Sequence, residues 1–353
     1  MRGRRSDFSR ESFRVRASVG YSRLKSLLQI VNNLTPHHSQ SSTHLHPPFL
    51  HPLPVLPLGH MLPRMNVHSP ALILADVQQR FDRAAASFDR ADFVHRVAFE
   101  ELLQRLAPVR AQPERILDLG CATGSASKPL RRRFRGSTVI GMDASRAMLR
   151  HNAQKKTLFA KQKFLQGDAR RIPLKDGSVD LVIANMLLPW IDDLPGCLAE
   201  VARVTRKDGI FAFATLGPDS LSELRRAWHS IDEEWHVNAF PDMHNIGDAL
   251  MRSGLRDPVL DVDYLTVTYR DTAALYRDLT RAGGRNCLTG RKKTLTGKQR
   301  FRAMEQALTA LMQDGVLTLT LELVYGHAFG GGPRQAPGEF LVDPARISRR
   351  RDA

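Results

Sequence analysis

Between residues 115 and 216, short apolar or β-branched runs alternate with helix-like stretches, and this alternation restricts the fold more than any other feature of the chain. Arg115–Gly120, Ser137–Asp143, Lys163–Gly167, Val179–Asn185 and Gly209–Leu216 have the length and composition of strands. Between them, Ser145–Lys155 and Leu194–Val204 read as helices. Strands joined through helices run parallel and need cover on both faces, because each crossover lays a helix against the sheet. The expectation is an α/β fold, a mostly parallel sheet with helices on both sides.

The flanking sequence extends this plan. Leu72 to Leu106 reads as two helices, with Val94, Val97, Phe99, Leu102 and Leu103 at helical spacing. Beyond Gly217 come a helical stretch Ser220–Ile231, a helix Ile246–Ser253, a strand Asp261–Tyr269 and a helix Asp271–Ala282. A basic segment Arg291–Arg302 leads to a last strand, Leu317–Ala328, which brings the expected strand count to seven. Residues 65–335 form the expected domain, with inserted helical cap segments at about 218–245 and 271–310. Residues 336–353, with the basic run Ser348–Arg351, read as a flexible tail.

The first 64 residues differ in texture. They are rich in Ser, Arg and His and then dense in Pro from Pro47 to Pro63, so they bury too little apolar surface to offset ordering entropy. An Arg/Ser-rich start has the look of a transit peptide, but Asp7, Glu11 and the His/Pro stretch fit that poorly. The expectation is a disordered or spurious extension, with the functional chain starting near Met61 or Met65. His37, His38, His44, His46, His51 and His60 are too irregularly spaced for a metal site, and no metal is expected.

This extension holds nine Lys/Arg against two acids, which leaves +9 of the total +16 on the rest of the chain. A body this basic suits an acidic partner, or is a solvated surface tuned for solubility. Three unpaired cysteines (Cys121, Cys197, Cys287) argue against a disulfide framework. No apolar run approaches a membrane span of roughly 18–20 residues. A cytoplasmic enzyme is the simplest class.

The loop Asp118-Leu119-Gly120-Cys121-Ala122-Thr123-Gly124 carries the chemistry. Asp118 ends an apolar strand, Gly120 opens a tight turn, and Ala122 and Gly124 let the backbone approach a ligand before a helix near Ser125. Asp143, at the end of the next strand, stands where an acidic side chain accepts from two ribose hydroxyls. The pattern departs from a dinucleotide fingerprint, because an acid sits two positions before the first glycine. A carboxylate there repels a pyrophosphate but suits the amino group of S-adenosyl-L-methionine. Gly167-Asp168-Ala169 offers a carboxylate to an adenine amino group, and the strand from Asp180 to Asn185 ends beside the expected sulfonium.

These segments resemble the successive motifs of Rossmann-like class I methyltransferases. Phe81-Asp-Arg-Ala-Ala-Ala-Ser-Phe88, Asn185-Met-Leu-Leu-Pro-Trp190, Ser220–Trp228, His236-Val-Asn-Ala-Phe240 and Leu275–Arg291 with Gly283 and Asn286 are similar to one family within that class. It is the malonyl-acyl-carrier-protein O-methyltransferases of biotin synthesis. The likeness spans about residues 75 to 330. It implies cofactor contacts from Asp118, Gly120, Cys121, Ala122, Gly124, Asp143, Ala144, Met148, Asp168, Ala169, Asn185 and Met186. It also implies methylation of the free carboxylate of a malonyl thioester. A carboxylate is already a nucleophile at pH 7, its pKa lying near 4, so no general base is expected.

Positioning falls to Phe88, Trp190, Arg225, His236 and Arg281, the last three as cations for the substrate carboxylate. Acyl carrier protein is acidic, and Arg291, Lys292, Lys293, Lys298 and Arg300 are the expected docking patch. No aromatic-interleaved basic motif points to nucleic acid. The family glycine at the middle of the loop is Ala122 here, an exchange that is tolerated if its φ is negative, and the usual tyrosine is Phe88. Competing readings are a relative of the arginine hydroxylase of complex I assembly, a non-catalytic cofactor-binding scaffold, and methylation of a quinone or other small molecule.

Overall fold

Ile116 and Leu117 are adjacent in the chain yet belong to hydrophobic layers on opposite sides of one sheet, and the whole architecture follows from that division. The computed structural model describes residues 15–17, 70–155, 161–292 and 296–331. In chain order the strands are β1 (Val15–Ala17), β2 (Arg115–Leu119), β3 (Thr138–Asp143), β4 (Gln162–Gln166), β5 (Val179–Asn185), β6 (Thr205–Leu216), β7 (Leu255–Tyr269) and β8 (Leu317–Gly330). The helices are α1 (Leu74–Ala84), α2 (Phe93–Arg105), α3 (Ser127–Arg133), α4 (Arg146–Gln154), α5 (Leu194–Val204), α6 (Ser222–His229), α7 (Met243–Arg252), α8 (Thr272–Arg281) and α9 (Lys298–Thr309).

The sheet order is β1-β7-β8-β6-β5-β2-β3-β4. β4, β3, β2, β5 and β6 are parallel, and β8 enters antiparallel between β6 and β7. The fold is thus the Rossmann-like α/β class expected, with an eighth strand beyond the expected seven. That strand, β1, pairs antiparallel with β7 through Val15, Arg16 and Ala17. The remainder of the expected disordered extension, and the tail 336–353, lie outside the described residues.

β2, β3 and β5 are buried along nearly their whole length, as parallel strands must be when helices cover both faces. One layer packs Ile116, Val139 and Ile183 against residues of α2, α3, α6, α8 and α9. The other packs Leu117, Met142 and Val182 against α5 and α7. Full burial of one such aliphatic side chain contributes about 1.5–3 kcal/mol. Among the described residues no helix is long and apolar enough to cross a membrane.

One element was hidden from the sequence. The segment read only as basic runs into α9, whose Met304 and Leu308 reach the core one turn apart, with Phe301 and Ala307 packed beside them.

The topology sets where a ligand can bind. From β2 the chain moves through β3 to β4 on one side, then returns through β5 to β6 on the other. Between β2 and β5 the loops leaving the two strand ends turn apart and open a crevice.

Candidate active site

The crevice is framed by the loop after β2. Gly120, Ala122 and Gly124 all adopt left-handed backbone angles, at φ +75°, +43° and +84°. The Gly120 and Cys121 amides donate to the Met142 carbonyl of β3, at 2.8 and 3.0 Å, which pins the turn to the sheet. A β-carbon at Gly120 meets Leu187 at 3.0 Å, and one at Gly124 runs into the Asn152 amide. Ala122, at φ +43°, does not meet the condition of a negative φ on which the exchange would be free of strain. An L-residue held left-handed costs about 1–2 kcal/mol. Asp143 helps to hold it there, its Oδ2 accepting the Ala122 N–H at 2.9 Å while Oδ1 accepts that of Ser145 at 2.8 Å.

Above this loop lies a cavity of about 500 Å³. Of the residues expected to hold a cofactor, Gly120, Ala122, Asp143, Ala144, Asp168, Ala169, Asn185 and Met186 line it. Phe88 and Trp190 stand in its wall as well. Asp118, Cys121, Gly124 and Met148 do not reach the wall. Cys121 and Gly124 shape the loop from behind: the buried Cys121 thiol accepts from Asn152 Nδ2 at 3.3 Å, and Asn152 fills the space beside Gly124. Met148 packs with Ala84, Ala85 and Phe88 in a small separate cluster.

Asp118 is buried beside the wall residue Leu119, and its Oδ2 has no partner among the described residues. Burial, then the nearby charge of Asp143, pushes its carboxyl up to about 7. Asn185 donates from Nδ2 to the His95 carbonyl at 2.9 Å, leaving its buried Oδ1 without a partner. Two orphaned acceptors at or beside the cavity wall fit a ligand rich in N–H and O–H donors, as S-adenosylmethionine is with its ammonium and ribose. Asp168 sits at the rim, and bidentate pairing with Arg170 holds its carboxyl below the usual range. Asp180 lies at the opposite end of β5 and serves the sheet, its Oδ2 accepting the Glu114 and Arg115 amides at 2.7 and 2.8 Å.

A second cavity, about 180 Å³, adjoins the first and shares His95, Met186 and Trp190 with it. Its walls are mainly apolar, with Leu224 from α6, Leu275 from α8 and Phe240 among them. Of the three expected cations, only His236 faces it. The His236 ring stacks on Trp228 at 3.7 Å between centroids and bonds Asp232 at 2.8 Å. Arg225 instead donates to the carbonyls of Pro218, Ser220 and Asn238, tying the start of α6 to the 236–240 segment. Arg281 stays outside both walls and lies electrostatically near Asp278, a buried carboxyl in the small cavity.

Asp232, Glu234 and His236 have metal-ligand spacing, their ligand atoms within 4.8 Å, but both carboxylates are engaged by cations. Arg300 pairs with Asp232, and Lys292 pairs with Glu234. Arg291 pairs with Asp76. The expected docking patch is therefore largely neutralised from within, and Lys293 lies outside the described residues.

Sequence reasoning passed over His95, Asp278 and Arg285, all of which line the small cavity. The available signal was a histidine beside Val94 and Val97 on an otherwise apolar helix face. Gly283 and Asn286, by contrast, are explained as loop fixers. Gly283 at φ +75° leaves room for the Phe81 ring, which meets Trp190 edge-on at 5.1 Å, and Asn286 donates to the Trp235 carbonyl at 2.8 Å.

A Rossmann-like sheet, an acid-glycine loop at its switch point and a donor-seeking cavity define an S-adenosylmethionine-dependent methyltransferase. In agreement, the family model described as a methyltransferase domain matches residues 117–213. The chain is 42% identical over 275 residues to malonyl-[acyl-carrier protein] O-methyltransferase of Laribacter hongkongensis, covering 76% of this chain and 92% of that one. It is 39% identical to the enzyme of that name from Methylovorus sp., covering 72% and 88%, and 38% identical to that of Halorhodospira halophila, covering 78% and 95%. The chain belongs to the malonyl-[acyl-carrier protein] O-methyltransferase family. These relatives carry the methyltransferase name, and the arginine-hydroxylase reading gains nothing from them.

Proposed function

We propose that this chain methylates the free carboxylate of malonyl-acyl carrier protein, forming the methyl ester early in biotin synthesis. The observation that carries this reading is the pair of adjoining cavities, the larger with orphaned acceptors and the smaller apolar. S-adenosylmethionine, when bound, supplies an electrophilic methyl group. For its polar parts the chain offers the free Asp118 oxygen for the ammonium, Asp143 for the ribose hydroxyls and Asp168 at the rim for the adenine.

Catalysis by positioning suits this reaction. The acceptor carboxylate is ionised at pH 7, so one of its oxygens forms the new C–O bond as the S–CH3 bond breaks, with no proton moved. Phe88 and Trp190 exclude water at the reacting end. The apolar cavity suits the uncharged thioester and the arm behind it. Carrier docking is read from cations near the small cavity that form no ion pair among the described residues: Arg285, exposed in its wall with Nε donating to Thr280 Oγ1 at 2.8 Å, and Arg277, exposed on α8.

Incubation with methyl-labelled cofactor and malonyl-carrier protein should give a base-labile methyl ester. Measurable cofactor binding with no transfer to any malonyl thioester would overturn the reading.

A further inference from the structure

The two cavities meet at three residues, His95, Met186 and Trp190. Among the described residues no lysine or arginine is shared by the two walls. Met186 has no donor, and Trp190 has only its indole N–H, on a ring that meets Phe81 edge-on. His95 is different. Its Nδ1 is fully buried and has no partner among the described residues, so it is not the hydrogen-bonded histidine of an ordinary core. The ring is set firmly, meeting Phe88 at 5.0 Å on one side. Its own backbone carbonyl accepts from Asn185 Nδ2 at 2.9 Å, which ties the first turn of α2 to the end of β5.

We propose that His95 binds the acceptor's carboxylate where the cavities meet, donating one imidazole N–H to the oxygen that is not methylated. The proposal rests on the carboxyl-methylation reading and names the residue that holds the reacting group. A neutral donor orients an anion without the strong ground-state pairing of a guanidinium, which would blunt its nucleophilicity. Burial pushes the His95 imidazole of the unliganded protein down to about 4, so the ring meets the acceptor as a neutral donor near pH 7. It neither gives nor takes a proton during the transfer. This assigns to His95 the part that sequence reasoning gave to Arg225, His236 and Arg281; the two arginines reach no cavity wall, and the His236 ring in the small cavity is held by Asp232.

The test uses the full chain with His95→Phe and His95→Gln, and three readouts. His95→Phe should raise KM for malonyl-carrier protein at least tenfold while S-adenosylhomocysteine affinity stays within threefold of wild type. His95→Gln, which keeps an N–H, should recover most of the loss. In the wild-type protein with S-adenosylhomocysteine bound, the His95 ring resonances should shift on adding malonyl-pantetheine and stay fixed with acetyl-pantetheine. Wild-type KM and kcat in His95→Phe, or ring resonances that ignore the malonyl group, would reject the assignment. A wild-type enzyme inactive on malonyl thioesters would reject the carboxyl-methylation reading instead, and the resonance titration would still decide the binding role of His95.

Discussion

The Asp143 carboxylate at the end of β3 accepts the backbone N–H of Ala122, 2.9 Å away in the loop after β2. One acid thereby faces the large cavity and fastens the loop in its left-handed turn. The strain at Ala122 and the reach of Asp143 are two aspects of one arrangement.

Relief of that strain is measurable. Ala122→Gly removes a methyl from the cavity wall and a left-handed alanine from the backbone, with strain relief of about 1–2 kcal/mol partly offset by the extra freedom of glycine when unfolded. The variant should bind S-adenosylhomocysteine at least as tightly as wild type in titration calorimetry. Ala122→Val, β-branched at φ +43°, should weaken binding more than about tenfold. Weaker binding by the glycine variant would mean that the methyl packs usefully on the ligand.

Cofactor affinity should depend on pH through Asp118. Its carboxyl titrates near 7 in the free protein, whereas an ammonium requires it ionised. Affinity should therefore fall as pH drops from 8 to 6, approaching about tenfold per unit below the pKa, and Asp118→Asn should weaken binding at pH 8 and flatten the profile. The stability of the free protein runs the other way. A carboxyl raised on folding contributes stability that is present below about pH 4 and lost as pH rises through about 7, so cofactor should raise Tm more at pH 8 than at pH 6. A pH-independent wild-type affinity would contradict this.

Phe88 is almost wholly buried, yet its ring lines the large cavity. A hydroxyl added to a closed core costs about 1–3 kcal/mol when unpaired. Here it has the cavity to enter, so Phe88→Tyr should change stability by less than about 1 kcal/mol and lower KM for malonyl thioesters by about threefold. Denaturant midpoints and steady-state kinetics check both parts. A large loss of stability would show that the hydroxyl points into the cluster with Met148 instead.

Charge reversal separates the two candidate docking surfaces. Arg277→Glu with Arg285→Glu should raise KM for malonyl-carrier protein about fivefold or more, an effect that shrinks with added salt. Lys292→Met should leave that KM within about twofold, because Lys292 is already paired with Glu234. The opposite ranking would restore the 291–300 segment as the docking face.

The central parallel strands were legible because β2, β3 and β5 are short, largely apolar runs, and β5 begins and ends as read, at Val179 and Asn185. The cofactor loop was legible because glycine and acid sit where the turn and the ligand require them. The substrate side was not. Arg225, His236 and Arg281 are equivalent as charges in a sequence, and only folding reveals that Arg225 spends its donors on carbonyls, one of them 13 residues away. His95 was invisible for the complementary reason, since a histidine on an apolar face looks like packing until its Nδ1 proves to have no partner. The sign of φ at Ala122 depends on Asp143, which comes 21 residues later.

Cys121 sits within the cofactor loop, and its burial has a chemical consequence. Burial pushes its thiol well up from the usual range, as it does for Cys287, and takes Cys197 to about 12. The thiolate is the form that reacts with oxidants and alkylating reagents, and here it is both scarce and shielded. This chain thus keeps a sulfur at the centre of its cofactor loop without making the loop redox-sensitive. Maleimides and peroxide should leave the folded protein unlabelled and active, and label all three sulfurs only once it unfolds.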